Sequence, residues 1–200
     1  LAIYKALGWQ APQFAHLPQV LGTDGKKLSK RHGATSVDLF RDKGYLPEAL
    51  FNFLTLIGWS PGDGEEQEVF TKEELIARFS LNKVNTAGGV FSVEKLDWMN
   101  GMHIRRLKIE DLAQRVKPYI ENAGYKVDDE QLLAITPHIQ ERMTVLTEAP
   151  GLVGFLFVDD VEHELKSMFT KGIDANKAIE ILLRAKEKLT GLEEFGVPEV

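Results

Sequence analysis

Pro47-Glu48-Ala49-Leu50-Phe51-Asn52-Phe53-Leu54-Thr55-Leu56-Ile57 opens on a proline and then turns apolar on a helical period. Proline holds φ near the helical value and has no N–H to satisfy, which suits the first position of a helix. Ala49, Leu50, Phe53, Leu54 and Ile57, with Leu46 just ahead, recur at the spacing of one helical face. Phe51 and Leu56 widen the stripe and predict a helix buried on most sides. Helical patterns of this kind recur along the chain with few strand candidates, so the fold class is read as mainly α.

The flanking segments extend the pattern in both directions. Leu1–Leu7 reads as the last turns of a helix stopped by Gly8, with chain expected ahead of it. From Gln10 to Gly25 the chain is irregular, punctuated by Pro12, Pro18, Gly22 and Gly25. Ser36 can cap a helix over Val37–Lys43, which Gly44 ends. Gly58 to Gly64 is a loop, and Thr71-Lys72-Glu73-Glu74 is a capping box opening a helix to about Phe79. Ser92 is expected to cap a helix through Trp98 that Asn100-Gly101 ends, so that two helical parts join near Gly101–Arg106. Lys108–Asn122 is helical with Pro118 as an expected kink. Thr136-Pro137 is read as the opening of a helix that aligns Ile139, Met143 and Leu146. Asp174 caps Ala175–Leu189, where Ala178, Ile181, Leu182, Ala185 and Leu189 share a face.

Composition narrows the function classes. No apolar run reaches the roughly 20 residues that cross a bilayer, and no basic leader precedes a cleavage site. There are no cysteines, so disulfides and thiolate–zinc sites are excluded. The expected location is the cytoplasm. The net charge of −6 speaks against a general nucleic-acid coat but not against one local basic surface.

Such a surface stands at Asp24-Gly25-Lys26-Lys27-Leu28-Ser29-Lys30-Arg31-His32-Gly33. Cations this dense repel one another unless an anion sits among them. The flanking glycines allow backbone conformations that turn N–H groups toward a ligand. This is the chemistry of a phosphate-binding loop. It is not a Walker A loop, because only Thr23 and Asp24 separate Gly22 from Gly25 and Leu28 follows Lys27. Without its ordered string, the cluster would read first as a solvated basic turn and next as an RNA-docking loop.

The string Lys27-Leu28-Ser29-Lys30-Arg31 resembles the lysine–small–serine–lysine signature of class I aminoacyl-tRNA synthetases, which in the glutamyl branch commonly ends in arginine. Lys27–Val37 (KLSKRHGATSV), Gly44–Leu50 (GYLPEAL), Leu56–Pro61 (LIGWSP) and Glu94–Gly101 (EKLDWMNG) fall in the order and spacing of bacterial glutamyl-tRNA synthetases. The likeness is strong over residues 1–107 and weaker beyond. It implies three regions. Residues 1–34 would close the catalytic domain and carry the signature loop. Residues 35–106 would form a helical stem-contact region, and residues 107–200 the first part of a helical anticodon-binding bundle.

The resemblance also implies the chemistry. Glutamate's carboxylate attacks the α-phosphate of ATP, and the acyl group then passes to the terminal ribose of tRNA-Glu. Catalysis of the first step is positioning plus stabilisation of charge on the phosphates. Lys30 would stabilise the triphosphate and the leaving pyrophosphate, and Lys27 would support it or hold the loop closed. Ser29 and the backbone would donate hydrogen bonds, and Arg31 would orient the loop. Magnesium is expected to arrive with ATP, with no metal bound by this chain. The histidine-containing signature of class I enzymes and the L-glutamate pocket lie outside the sequence, so the chain alone is expected to be inactive. The expected state is a monomer.

For RNA, Arg105, Arg106, Arg115 and Arg142 are singled out, although a surface arginine is more often solvated or ion-paired. Arg142 has the best case, because Gln140-Glu141-Arg142 resembles the family's anticodon-facing region and unstacked bases are commonly read by arginine and aromatic side chains. Trp59 and Trp98 read as core rather than base platforms. His163-Glu164 lacks the second histidine of a zinc helix, and Asp159-Asp160 reads as an N-cap. Two other functions fit the residues: a non-catalytic helical tRNA- or RNA-binding module that keeps a relic phosphate loop, and a glutaminyl-type synthetase.

Overall fold

The computed structural model describes residues 1–29, 31, 33, 36–62, 64, 66–158 and 174–191. Lys30, His32, Asp159-Asp160 and His163-Glu164 lie outside the described residues. The chain divides into two units, residues 1–157 and 158–200. The described residues are mainly helical and form no strand, only isolated bridges.

In the first unit, α1 (Ala2–Ala6), α2 (Val37–Asp42), α3 (Pro47–Gly58) and α4 (Lys72–Arg78) are followed by α5 (Val93–Arg106), α6 (Ile109–Asn122), α7 (Asp129–Gln140) and α8 (Ala149–Val153). Their starts follow local chemistry. Ser36 accepts the Leu39 N–H, and Ser92 accepts the Lys95 N–H at 3.1 Å. Thr71 and Glu74 close a reciprocal capping box.

Three cores form: a small one of Trp59, Phe70 and Leu75, and two larger ones to which both α3 and α5 contribute. One gathers Phe40, Leu50, Phe53, Phe91, Leu96 and Met99, with the Phe91 ring centroid 5.0 Å from that of Phe53 and 5.7 Å from that of Phe40. The other joins Leu46, Ala49 and Ile104 to Leu112, Val116 and Ile120 of α6, Leu132 and Ile139 of α7, and Val153 of α8. The two helical parts read from the sequence therefore share apolar packing.

Four expectations are corrected. First, α5 runs unbroken through Asn100-Gly101 to Arg106. Asn100 is fully buried, and its side chain accepts the Leu46 N–H at 2.8 Å and donates to the Thr144 carbonyl at 2.5 Å. Its polar atoms go to tertiary partners rather than to a cap, and the helix continues past it. Second, α3 is not buried on most sides. Ala49, Leu50, Asn52 and Phe53 are buried, whereas Phe51 and Leu54 are 43% and 45% exposed.

Third, α7 does not open at Thr136-Pro137. It begins after Asp128, which makes a capping box with Gln131. Thr136 and Pro137 lie inside it, with the Thr136 hydroxyl donating to the Leu132 carbonyl at 2.6 Å. Burial of Leu132, Thr136 and Ile139 on one face outweighs the hydrogen bond that the proline omits. Met143 and Leu146 enter the same core from beyond the helix end. Fourth, Trp59 is core at 2% exposure, but Trp98 is 46% exposed on the outer face of α5.

In the second unit α9 spans Ala175–Thr190, with the Asp174 carboxylate accepting the Lys177 N–H at 2.9 Å, as the sequence predicts.

Candidate functional site

The basic segment is held by a short backbone framework. The Gly22 N–H donates to the Lys26 carbonyl at 2.8 Å and the Gly25 N–H to the Gly22 carbonyl at 3.0 Å, closing a turn. Gly25 sits at φ +73°, a left-handed conformation that costs a glycine little. Asp24 tightens the turn by accepting the Lys26 N–H at 3.0 Å. The Leu28 N–H then reaches back to the Val20 carbonyl at 2.9 Å, and the Leu28 side chain packs on the Phe40–Phe91 core. From this stem Lys26, Lys27, Ser29 and Arg31 are exposed together. Exposed cations close in sequence on a fixed stem are an arrangement that can hold an anion.

The stem itself is pinned by a segment that sequence reasoning passed over. Leu21 donates its N–H to the Gly89 carbonyl at 2.9 Å and accepts the Phe91 N–H at 2.8 Å. The strap that supplies these bonds also ties to the end of α3, where the Asn85 N–H donates to the Gly58 carbonyl at 2.8 Å. A Cβ added to Gly88 would stand 2.7 Å from the Gln19 carbonyl oxygen, and one on Gly89 would stand 1.8 Å from that of Ile57. The glycine pair was the available signal, but it marks only a close backbone approach and not what approaches.

The four arginines are not brought together. Arg115 makes paired hydrogen bonds to Glu48 at 2.9 and 3.2 Å and to Asp111 at 2.9 and 3.1 Å. Burial tends to raise the Glu48 carboxyl, but the hydrogen bond from Arg115 and the local backbone outweigh it and hold the group below the usual range. Arg105 donates to the Glu141 carboxylate at 3.1 Å, and Arg106 to the Val69 carbonyl at 3.0 Å. Arg142 is exposed in the turn after α7, with no side-chain hydrogen bond or ion pair among the described residues.

A buried polar pair also escaped the sequence reading. His103 is 8% exposed, and its Nε2 lies 3.1 Å from Asn52 Oδ1, which also accepts the Phe70 N–H at 2.8 Å. With that oxygen fixed as an acceptor, Nε2 carries the imidazole proton. Burial, and next the nearby Arg106, push the His103 pKa down. Among the described residues no group of three or more His, Asp or Glu side chains could hold a metal ion.

Family profiles cover nearly the whole chain. Residues 1–98 match the catalytic domain of class I tRNA synthetases (E and Q), and residues 111–200 match an anticodon binding domain. The chain belongs to the class I tRNA synthetases. A glutamate–tRNA ligase of Herpetosiphon aurantiacus is 44% identical over 204 residues, covering 99% of this chain and 41% of that protein. One from Aquifex aeolicus is 44% identical over 191 residues, covering 94% of this chain and 40% of that protein. A crystal structure of a glutamate tRNA ligase from Elizabethkingia meningosepticum, in complex with its amino acid, superposes with a TM-score of 0.77 at 31% identity, covering 96% of this chain and 41% of that one. The chain thus spans about two fifths of the length of these synthetases. Within the synthetase catalytic-domain match lie the basic loop, its stem and the Gly88–Gly89 strap. Arg115 and Arg142 fall in the anticodon-domain match.

Proposed function

We propose that this chain is part of a glutamate–tRNA ligase, in which it supplies the loop that handles ATP phosphates and a surface that meets tRNA-Glu. The observation that carries the reading is the pinned stem at Val20–Leu28, from which Lys27, Ser29 and Arg31 project into solvent in the order of the class I signature. Lys27 would support the β- and γ-phosphates as they depart as pyrophosphate, and Arg31 would orient the loop on them. Lys30, between Ser29 and Arg31 in sequence, takes the principal catalytic role in this proposal. The attacking carboxylate belongs to L-glutamate, whose pocket we assign to the rest of the parent protein.

The loop needs no covalent intermediate. Its work is to hold fixed positive charge where negative charge moves from the α-phosphate to the leaving group. Lysine suits this as a compact point charge on a flexible stem. Magnesium enters with ATP, and no residue of this chain is assigned to it. Arg142 is the arginine best placed to meet RNA, because the other three hold intramolecular hydrogen bonds. We further propose that the parent protein acts as a monomer in the cytoplasm. The division into residues 1–34, 35–106 and 107–200 is proposed on the same likeness. No helix among the described residues is long and apolar enough to cross a membrane.

The test is glutamate-dependent exchange of pyrophosphate into ATP by the full-length protein with tRNA-Glu present, run in parallel with glutamine and tRNA-Gln. Exchange with glutamate is expected, and exchange with glutamine alone would overturn the assignment. In Lys30→Ala the rate should fall about 10²–10³-fold, the cost of losing one fixed charge donor to the transition state, with the KM for glutamate little changed. A rate within a few-fold of the parent would remove Lys30 from its role.

A further inference from the structure

A phosphate-gripping loop works only if its base is fixed, and in this chain the base is fixed from outside the loop. Leu21 is the residue on which the stem closes: it bridges to Lys27 on one side and to Val90 on the other. Both of its backbone groups go to the strap, the N–H to Gly89 and the carbonyl to Phe91. The strap is itself fixed at both ends. At one end Trp59 bridges to Val84, and the Asn85 N–H is bonded to Gly58. At the other end the Phe91 ring is buried against Phe40 and Phe53, and Ser92 then caps α5.

We infer that the Val84–Phe91 strap is a positioning element for the signature loop, with Gly88 and Gly89 its positioning residues. The inference rests on the reading of Lys27–Arg31 as the ATP-phosphate loop. In this inference the strap acts through the stem and not on substrate. It sets where the stem sits by a backbone contact too close for a side chain, Gly88 against the Gln19 carbonyl, together with two hydrogen bonds to Leu21. Because Phe91 leads directly into α5, the base of the loop is tied to that helix.

The experiment uses the full-length protein. Gly88→Val puts atoms where the Gln19 carbonyl now lies and should open the contact from the strap side. The expected result is a fall of ten-fold or more in the kcat of glutamate-dependent ATP–pyrophosphate exchange. The KM for glutamate should stay within two-fold, and hydrogen exchange should quicken at the Gly22 and Leu28 amides but not at Leu112. A merely destabilising change would quicken exchange at all three.

If Gly88→Val does not fold, the comparison passes to the loop side. Leu21→Pro deletes the N–H donated to Gly89, whereas Leu21→Val keeps it, and only the proline variant should show the ten-fold loss. A folded Gly88→Val with parental kcat overturns the inference, as does an equal effect of the two Leu21 variants. Absence of glutamate-dependent exchange in the unsubstituted protein, with tRNA-Glu present, would instead overturn the reading of function on which the inference rests.

Discussion

Replacing Asn100 by alanine should cost this chain much of its stability, and the size of the loss follows from two bonds. Asn100 has no exposed surface. Its carbonyl oxygen accepts the N–H of Leu46, which is only 1% exposed, at 2.8 Å. Its amide nitrogen donates to the Thr144 carbonyl at 2.5 Å. In Asn100→Ala no water can reach the Leu46 N–H without opening the core, and a stranded buried group costs about 1–3 kcal/mol. Thr144 is only half-buried, so solvent can replace part of its loss and its contribution lies at the low end of that range. The sum is about 2–4 kcal/mol, against a total of about 5–15 kcal/mol for an ordinary domain. Urea unfolding followed by far-UV circular dichroism would read the change as a lower midpoint at unchanged slope, and amide exchange at Leu46 should quicken most. Had the helix ended at Asn100-Gly101, the side chain would be a solvated end group, and its removal would cost about 0.5 kcal/mol or less. A loss that small would refute the argument.

Three other outcomes follow from the structure. Burial holds the His103 pKa below its ordinary value of 6.5, so the folded state binds this proton less readily than the unfolded chain does. The stabilisation is therefore complete above the ordinary imidazole range and is lost as pH falls through the depressed folded value. Urea midpoints compared at pH 7.5 and pH 5.5 should fall less in His103→Gln than in the parent chain. Arg115→Gln should lower stability by about 1 kcal/mol, because its paired bonds to Glu48 and Asp111 are only partly solvated. Under the proposed function, binding of tRNA-Glu by the full-length protein should remain within two-fold for that variant, whereas Arg142→Gln should weaken binding several-fold at unchanged stability; filter binding at two salt concentrations reads both. Gly44 sits at φ +83° with a virtual Cβ 2.7 Å from the Thr147 nitrogen, so Gly44→Ala should cost more than about 1 kcal/mol. Gly124→Ala, at φ +93° in open space, should cost less in the same urea titration.

What could be read in advance was local. Ser36, Thr71, Ser92 and Asp174 act on amides within three residues, so their patterns predicted helix starts that the structure repeats. Asn100 was misread because its partners lie 54 and 44 residues away, and no window of sequence holds both ends. Thr136-Pro137 copies the chemistry of a helix start, but Asp128 and Gln131 had already made one. Phe51, Leu54 and Trp98 are apolar at helical spacing yet exposed, because spacing marks a face without saying which neighbour covers it. The basic loop was legible from its ordered side chains, whereas its support was not, since the bonds from Gly89 and Phe91 to Leu21 are made by backbone that any sequence carries.

Helix α5 carries Leu96, Met99, Asn100, His103 and Ile104 inward, the first two in one of the larger cores and Ile104 in the other. Each residue of an α-helix advances the azimuth by about 100°. Lengthening the rod by a single residue between Met99 and Ile104 would swing Ile104 and everything after it roughly a quarter-turn out of phase with Leu96. The two cores are therefore locked by an angle as well as by contact, and the residue count of this helix is as fixed as any side chain on it. A loop can absorb an inserted residue; this segment would have to unwind one of its ends to do so.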